Sequence, residues 1–103
     1  MLKIKTEDFF KEVEAYSGLV VIDLYADWCM PCKMLSPIMT ELEGEYPNVK
    51  FCKINVDEEP ELARQFHVQS IPMLAFVKDN TFLDMIIGLS PKSEIEKMIK
   101  EYV

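Results

Sequence analysis

Leu19-Val20-Val21-Ile22-Asp23-Leu24-Tyr25, continued by Ala26-Asp27-Trp28-Cys29-Met30-Pro31-Cys32-Lys33, is the stretch that decides how this chain is read. Its first seven residues are almost continuously apolar and rich in β-branched side chains, the pattern of a strand covered on both faces. Asp23 alone interrupts it. Beyond the cysteines, Leu35, Ile38, Met39, Leu42 and Tyr46 recur at helical spacing. Lys33, Ser36, Thr40, Glu41, Glu43 and Glu45 take the other side, and Pro47 ends the helix. Two thiols three positions apart therefore fall where a buried strand hands over to a helix.

That placement has chemical consequences. Only a thiolate attacks a disulfide, so a reactive cysteine needs surroundings that favour its negative charge. Pro31 suits the first helical position, which puts Cys29 near the N-cap, facing unpaired backbone amides and the positive end of the helix dipole. Cys29 is expected to be the attacking thiol, with a lowered pKa. Cys32 lies one turn further in, at a Cβ spacing of about 5 to 6 Å that a small adjustment closes to the roughly 3.5 to 4.5 Å of a disulfide. It is expected to be the resolving thiol and the less exposed of the two. The competing readings are two packing cysteines or half of a zinc site. Zinc requires about four ligands, and besides this pair the chain offers only Cys52 and His67, which form no second close pair.

Outward from this centre, strands and helices alternate. Leu2 to Lys5 reads as a short edge strand, and Thr6 as the N-cap of a helix that buries Phe9, Val13 and Tyr16 and ends near Gly18. Val49 to Val56 is a second core strand with Lys53 in its middle, and Pro60 opens a short helix through Leu62, Ala63 and Phe66. Met73 to Val77 is a third, joined by an Asp79-Asn80 turn to Phe82 to Ile87. Ser90 caps and Pro91 opens a last helix with Ile95, Met98, Ile99 and Tyr102 on its buried stripe. The expected architecture is α/β, one domain over residues 1–103, with a mixed sheet of about five strands between helices.

Composition narrows the function classes. A net charge of −7 disfavours nucleic acid and anionic membrane as partners, since both attract basic surfaces. No apolar run approaches the roughly 20 residues that span a bilayer, and Met1 leads into Leu2-Lys3-Ile4-Lys5 without a signal-peptide core. A cytoplasmic location is expected. Three cysteines are too few, and odd in number, for a secreted disulfide framework. Cys52, inside a strand, reads as a core thiol, with a regulatory or dimer-forming role as the alternative. His67 reads as a loop residue outside the chemistry.

The segment Val21 to Met34 resembles the active-site stretch of the thioredoxin family, and the resemblance continues through Ser36-Pro37-Ile38, Lys53-Ile54-Asn55-Val56-Asp57, Ile71-Pro72 and Gly88. It covers nearly the whole chain. It implies the thioredoxin fold: a central mixed five-stranded sheet flanked by four helices, closing in a β-hairpin plus helix. It further implies that Asp23 is a buried carboxylate beneath the disulfide and handles protons, that Lys53 lies near it and tunes it, and that the Ile71-Pro72 bond is cis, facing Cys29. Without the resemblance, a satisfied structural carboxylate is the alternative reading of Asp23, and Ile71-Pro72 reads as trans. Trp28, Met30, Pro31, Ile71, Pro72, Met73 and Gly88 would form an apolar docking surface, with the Ile71 backbone pairing with an extended client segment.

The implied activity is reduction of disulfides in client proteins through a reversible Cys29-Cys32 disulfide and a mixed-disulfide intermediate. The implied partners are those clients and a thioredoxin reductase drawing electrons from NADPH. No bound cofactor and no metal are expected, and a monomer is. One departure is plain: the family's usual Gly-Pro between the cysteines is Met30-Pro31 here, so the family's redox poise does not transfer. Tyr25 stands where many members have Trp. Two alternatives stay open: a specialised oxidoreductase or isomerase with a narrow client, motivated by Met30, and a redox-inactive binding module, against which both cysteines argue.

Overall fold

Alternating apolar stretches become the strands of one sheet, described in a computed structural model that covers Met1–Val103. The strands are β1 (Leu2–Lys3), β2 (Leu19–Tyr25), β3 (Lys50–Asn55), β4 (Met73–Lys78) and β5 (Thr81–Ile87). Their order across the sheet is β1-β3-β2-β4-β5. β3 runs parallel to both β1 and β2, while β4 is antiparallel to β2 and β5 antiparallel to β4. The helices are α1 (Met30–Glu45), α2 (Pro60–Gln65) and α3 (Lys92–Tyr102).

Side chains alternate across β2, and each face finds its own cover. Val20, Ile22 and Leu24 pack with Cys52, Ile54 and Ala75 beneath Phe9, Val13 and Leu62. On the other face, Leu19, Val21, Phe51 and Phe76 pack beneath Leu35, Met39 and Leu42 of α1 and Ile95 and Ile99 of α3. Leu35, Met39 and Leu42 are fully buried, each contributing about 2 kcal/mol through removal of apolar surface from water. This packing fixes α1 on the sheet and therefore fixes where its first turn lies.

Two expected helix starts are corrected. The segment after β1 is a 3-10 turn over Thr6–Asp8 followed by a π-helical turn over Phe10–Glu14, not a capped α-helix. The Thr6 amide and hydroxyl both donate to Glu59 Oε1 at 2.9 Å. A carboxylate from the start of α2 thus takes the groups that would otherwise serve a local cap. Phe9 and Val13 still face the core. At the other end, α3 begins at Lys92 with Pro91 as its N-cap and no side-chain cap. Pro91 keeps an extended ψ of 153°, so it stands outside the helix and Ser90 one residue further out.

The β4–β5 hairpin turns on Asp79 and Asn80, both at positive φ (50° and 63°). This is the two-residue geometry that asparagine and aspartate tolerate best after glycine.

Candidate active site

The end of β2 and the start of α1 bring the two cysteines together. Cys29 is the N-cap of α1, and its sulfur accepts a hydrogen bond from the Cys32 amide at 3.2 Å. The two are joined in a disulfide with Cα atoms 5.2 Å apart. Pro31 sits within the first turn of α1, at the second helical position instead of the first. Its missing amide hydrogen falls among donors that the helix leaves unpaired in any case. The remaining amides and the helix dipole point at Cys29, a setting that favours a thiolate there once the disulfide opens.

The expected difference in exposure between the two cysteines is absent: Cys29 is 3 % exposed and Cys32 4 %. Both are enclosed with Ala26 by Tyr25, Val56 and Ile71. Val56 and Ile71 belong to distant segments, and with Tyr25 they cover both cysteines.

Around the pair the chain presents apolar surface. Trp28 is 70 % exposed and Met30 63 %. The Trp28 indole donates through Nε1 to Asp57 Oδ2 at 2.8 Å, so an exposed ring is held in place. A groove of about 280 Å³ runs between Trp28, Val56, Ala63, Val68 and Ile71. The Ile71-Pro72 bond is cis, Pro72 is buried, and its carbonyl accepts from the Gly88 amide at 2.8 Å. Gly88 adopts φ +91°, a backbone conformation that side chains resist.

Met73 is corrected. It is 1 % exposed and packs in the core with Ile22 and Leu24, because the first residue of β4 points inward; its side chain is closed to a client. In its place the surface offers Ile87 and Leu89, 52 % and 43 % exposed on either side of Gly88. The sequence does not single these two out, although a glycine between two apolar residues past a strand end is a usable signal. It also gives no role to Asp57 or to Asn55. The buried Asn55 Oδ1 accepts the amides of Asp57 and Glu58, shaping the loop that carries Asp57 to Trp28. Asparagine at a strand end, before three acidic residues, carries that turn signal.

Behind the disulfide lies a second feature. Asp23 is 5 % exposed, and its Oδ1 has no hydrogen-bond partner. Lys53 is directly opposite it in the β2–β3 register. Burial pushes the Asp23 carboxyl up to about 6, and the Lys53 charge opposes the rise. Asp23, Lys53 and Cys32 line one cleft of about 380 Å³, together with Tyr25 and Ser36. A bulk water molecule occupies about 30 Å³, so the cleft has room for several waters beside the carboxyl.

The remaining thiol and the histidine stand apart. Cys52 is fully buried, and burial pushes its thiol up to about 11, far from nucleophilic readiness at neutral pH. His67 lies exposed after α2 with φ 54°. No helix is long and apolar enough to cross a membrane.

Comparison with known proteins agrees with this arrangement. The thioredoxin family pattern matches residues 1–101. A thioredoxin of Chlamydia caviae is 39% identical over 102 residues, covering 99% of each chain. One from Listeria monocytogenes is 40% identical over 104 residues, covering 100% of each. The crystal structure of oxidised mitochondrial thioredoxin 3 from Saccharomyces cerevisiae superposes with a TM-score of 0.89 at 36% identity, over 98% of this chain and 94% of that one.

Proposed function

Because the chain belongs to the thioredoxin family and is a protein dithiol-disulfide oxidoreductase, we propose that Cys29 attacks the client disulfide and Cys32 resolves the mixed disulfide. The observation that carries this assignment is the position of Cys29 at the N-cap of α1, with its sulfur accepting the Cys32 amide.

In the first exchange the Cys29 thiolate attacks one client sulfur. The client S–S bond breaks, a Cys29–client disulfide forms, and the first client sulfur leaves as a thiolate that takes up a proton. In the second, Cys32 loses its proton and attacks the Cys29 sulfur, releasing the other client thiol and closing Cys29-Cys32. Two electrons pass from the Cys29-Cys32 pair to the client, whose two leaving thiolates take up two protons from solvent, while the pair itself gives up one, from Cys32, because Cys29 enters as the thiolate. Asp23 takes the Cys32 proton through water in the cleft, and Lys53 sets how readily it does so. The buried carboxylate, its unpartnered oxygen and the cleft shared with Cys32 support this role.

Clients dock on Trp28, Met30, Pro31 and Ile71, against Pro72 and Gly88, with an extended segment along the Ile71 backbone. The exposure of Trp28 and Met30 beside an enclosed disulfide supports this face. Electrons return from a thioredoxin reductase using NADPH, with no cofactor held by this chain, which works as a monomeric single domain over residues 1–103 in the cytoplasm.

The donor is tested by coupling the oxidised protein to a bacterial thioredoxin reductase and following NADPH absorbance with insulin as the final acceptor. Turnover is expected to depend on both proteins. NADPH consumption no faster than with the reductase alone would remove that donor class from the scheme.

A further inference from the structure

We propose that Tyr25 is a positioning residue: its ring holds the Lys53 ammonium away from Asp23, leaving the carboxylate to face Cys32 across the cleft without an ion-pair partner. The inference rests on the proton role assigned to Asp23 above and deepens it.

Asp23 and Tyr25 are two residues apart on β2 and so project from the same face of the sheet. Lys53, opposite Asp23 in the adjacent parallel strand, projects from that face too. Strands in a sheet lie about 4.8 Å apart, so a lysine stem easily spans the distance to the carboxylate. Yet Lys53 forms no ion pair, and Asp23 Oδ1 is unpartnered. The ammonium instead lies over the Tyr25 ring, 5.6 Å from its centroid, within the range of cation–π attraction.

The other charges around the cleft are committed or peripheral. Lys3 of β1, opposite Lys53 in the β1–β3 register, is held by Glu58 at 2.7 Å. The Met1 amine is held by Glu43 at 3.1 Å. Asp27, from the β2–α1 loop, and Lys33 of α1 line the cleft and are exposed to water. Among the cations around the cleft, Lys53 alone lies over an aromatic ring, that of Tyr25.

Removing the ring frees Lys53 to close on Asp23. The test follows the Asp23 carboxyl by carbon NMR and, separately, the pH profile of single-turnover disulfide reduction, in wild type, Tyr25→Phe, Tyr25→Leu and Tyr25→Leu with Lys53→Gln. An opposite charge within about 4 to 6 Å lowers a carboxyl pKa by about one pH unit or more. Tyr25→Leu is expected to lower the Asp23 midpoint by about that much, and Tyr25→Phe, which keeps the ring, to leave it in place. In the Lys53→Gln background, adding Tyr25→Leu is expected to produce no downward movement, which separates the lysine from added solvation of a smaller side chain. An unmoved midpoint in Tyr25→Leu, or an equal fall with Lys53→Gln present, overturns the proposal. If the carboxyl moves as expected while the reduction profile stays fixed, Tyr25 positions Lys53 but Asp23 is not the proton acceptor.

Discussion

Cys29→Ser is expected to lose all catalysed reduction of insulin, leaving the rate set by dithiothreitol alone. A serine hydroxyl at the α1 N-cap still accepts the Cys32 amide, so the helix start survives the exchange. What disappears is the nucleophile, and nothing nearby replaces it. Cys32 is equally buried but lies within the helix, past the N-cap where the unpaired amides converge. Cys52 is sealed in β3 with its thiol pushed up to about 11. Residual catalysis well above the dithiothreitol rate in Cys29→Ser would shift the attacking role to another thiol.

Asp23→Asn is expected to act in opposite directions on rate and stability. As the acceptor for the Cys32 proton, a carboxylate that titrates near 6 is largely ionised at neutral pH. Its loss should slow the second exchange by about tenfold or more there, with the gap narrowing below pH 6, where the native carboxyl is itself protonated. Stability follows from the same elevation. With a folded-state pKa above the ordinary value, the native state binds the proton more tightly than the unfolded chain. Burial therefore costs nothing extra below about pH 3.8, an increasing amount as pH rises toward about 6, and its full amount above that. The interval from 3.8 to about 6 corresponds to a ceiling of about 3 kcal/mol at neutral pH. The asparagine amide loses part of that gain to its own unpaired donors, so about 2 kcal/mol is expected. Denaturant melts of the oxidised protein should place Asp23→Asn above wild type at pH 7 and converge with it near pH 4. Equal stability at pH 7 would mean the buried carboxylate carries no such penalty, and an unchanged single-turnover rate would remove Asp23 from the chemistry.

The cost falls on a group that has no packing reason to be charged. A valine or leucine at position 23 would extend the apolar face formed by Leu19, Val21, Phe51 and Phe76. The fold tolerates the carboxylate because the cleft supplies partial solvation on the side facing Cys32.

Asp23 was legible in the sequence for that reason: an ionisable residue inside Leu19–Tyr25 has no role in building the strand. The Cys29-Cys32 spacing was legible too, since the geometry of a first helical turn is local and its capping rules are short-range. The resemblance added that Lys53 lies near Asp23, and the β2–β3 register sets the two directly opposite. What escaped depends on distant segments meeting. Met73 was placed on the docking face, whereas it is drawn into the core, because which face a strand residue takes is decided by the sheet around it. The equal burial of Cys29 and Cys32 comes from Tyr25, Val56 and Ile71 converging on them. The bond from Trp28 to Asp57 crosses 29 residues of chain, and no local pattern announces it. The Thr6 cap was lost to Glu59, 53 residues away, by the same kind of competition.

The unequal roles of the two cysteines are tested most directly by mixing reduced Cys32→Ser with one equivalent of a disulfide-bonded peptide and mapping the adduct by mass spectrometry. One half-peptide attached to Cys29, persisting because nothing resolves it, is the predicted result. An adduct on Cys52, or a persistent adduct on Cys32 in the parallel Cys29→Ser experiment with none on Cys29 in Cys32→Ser, would contradict it.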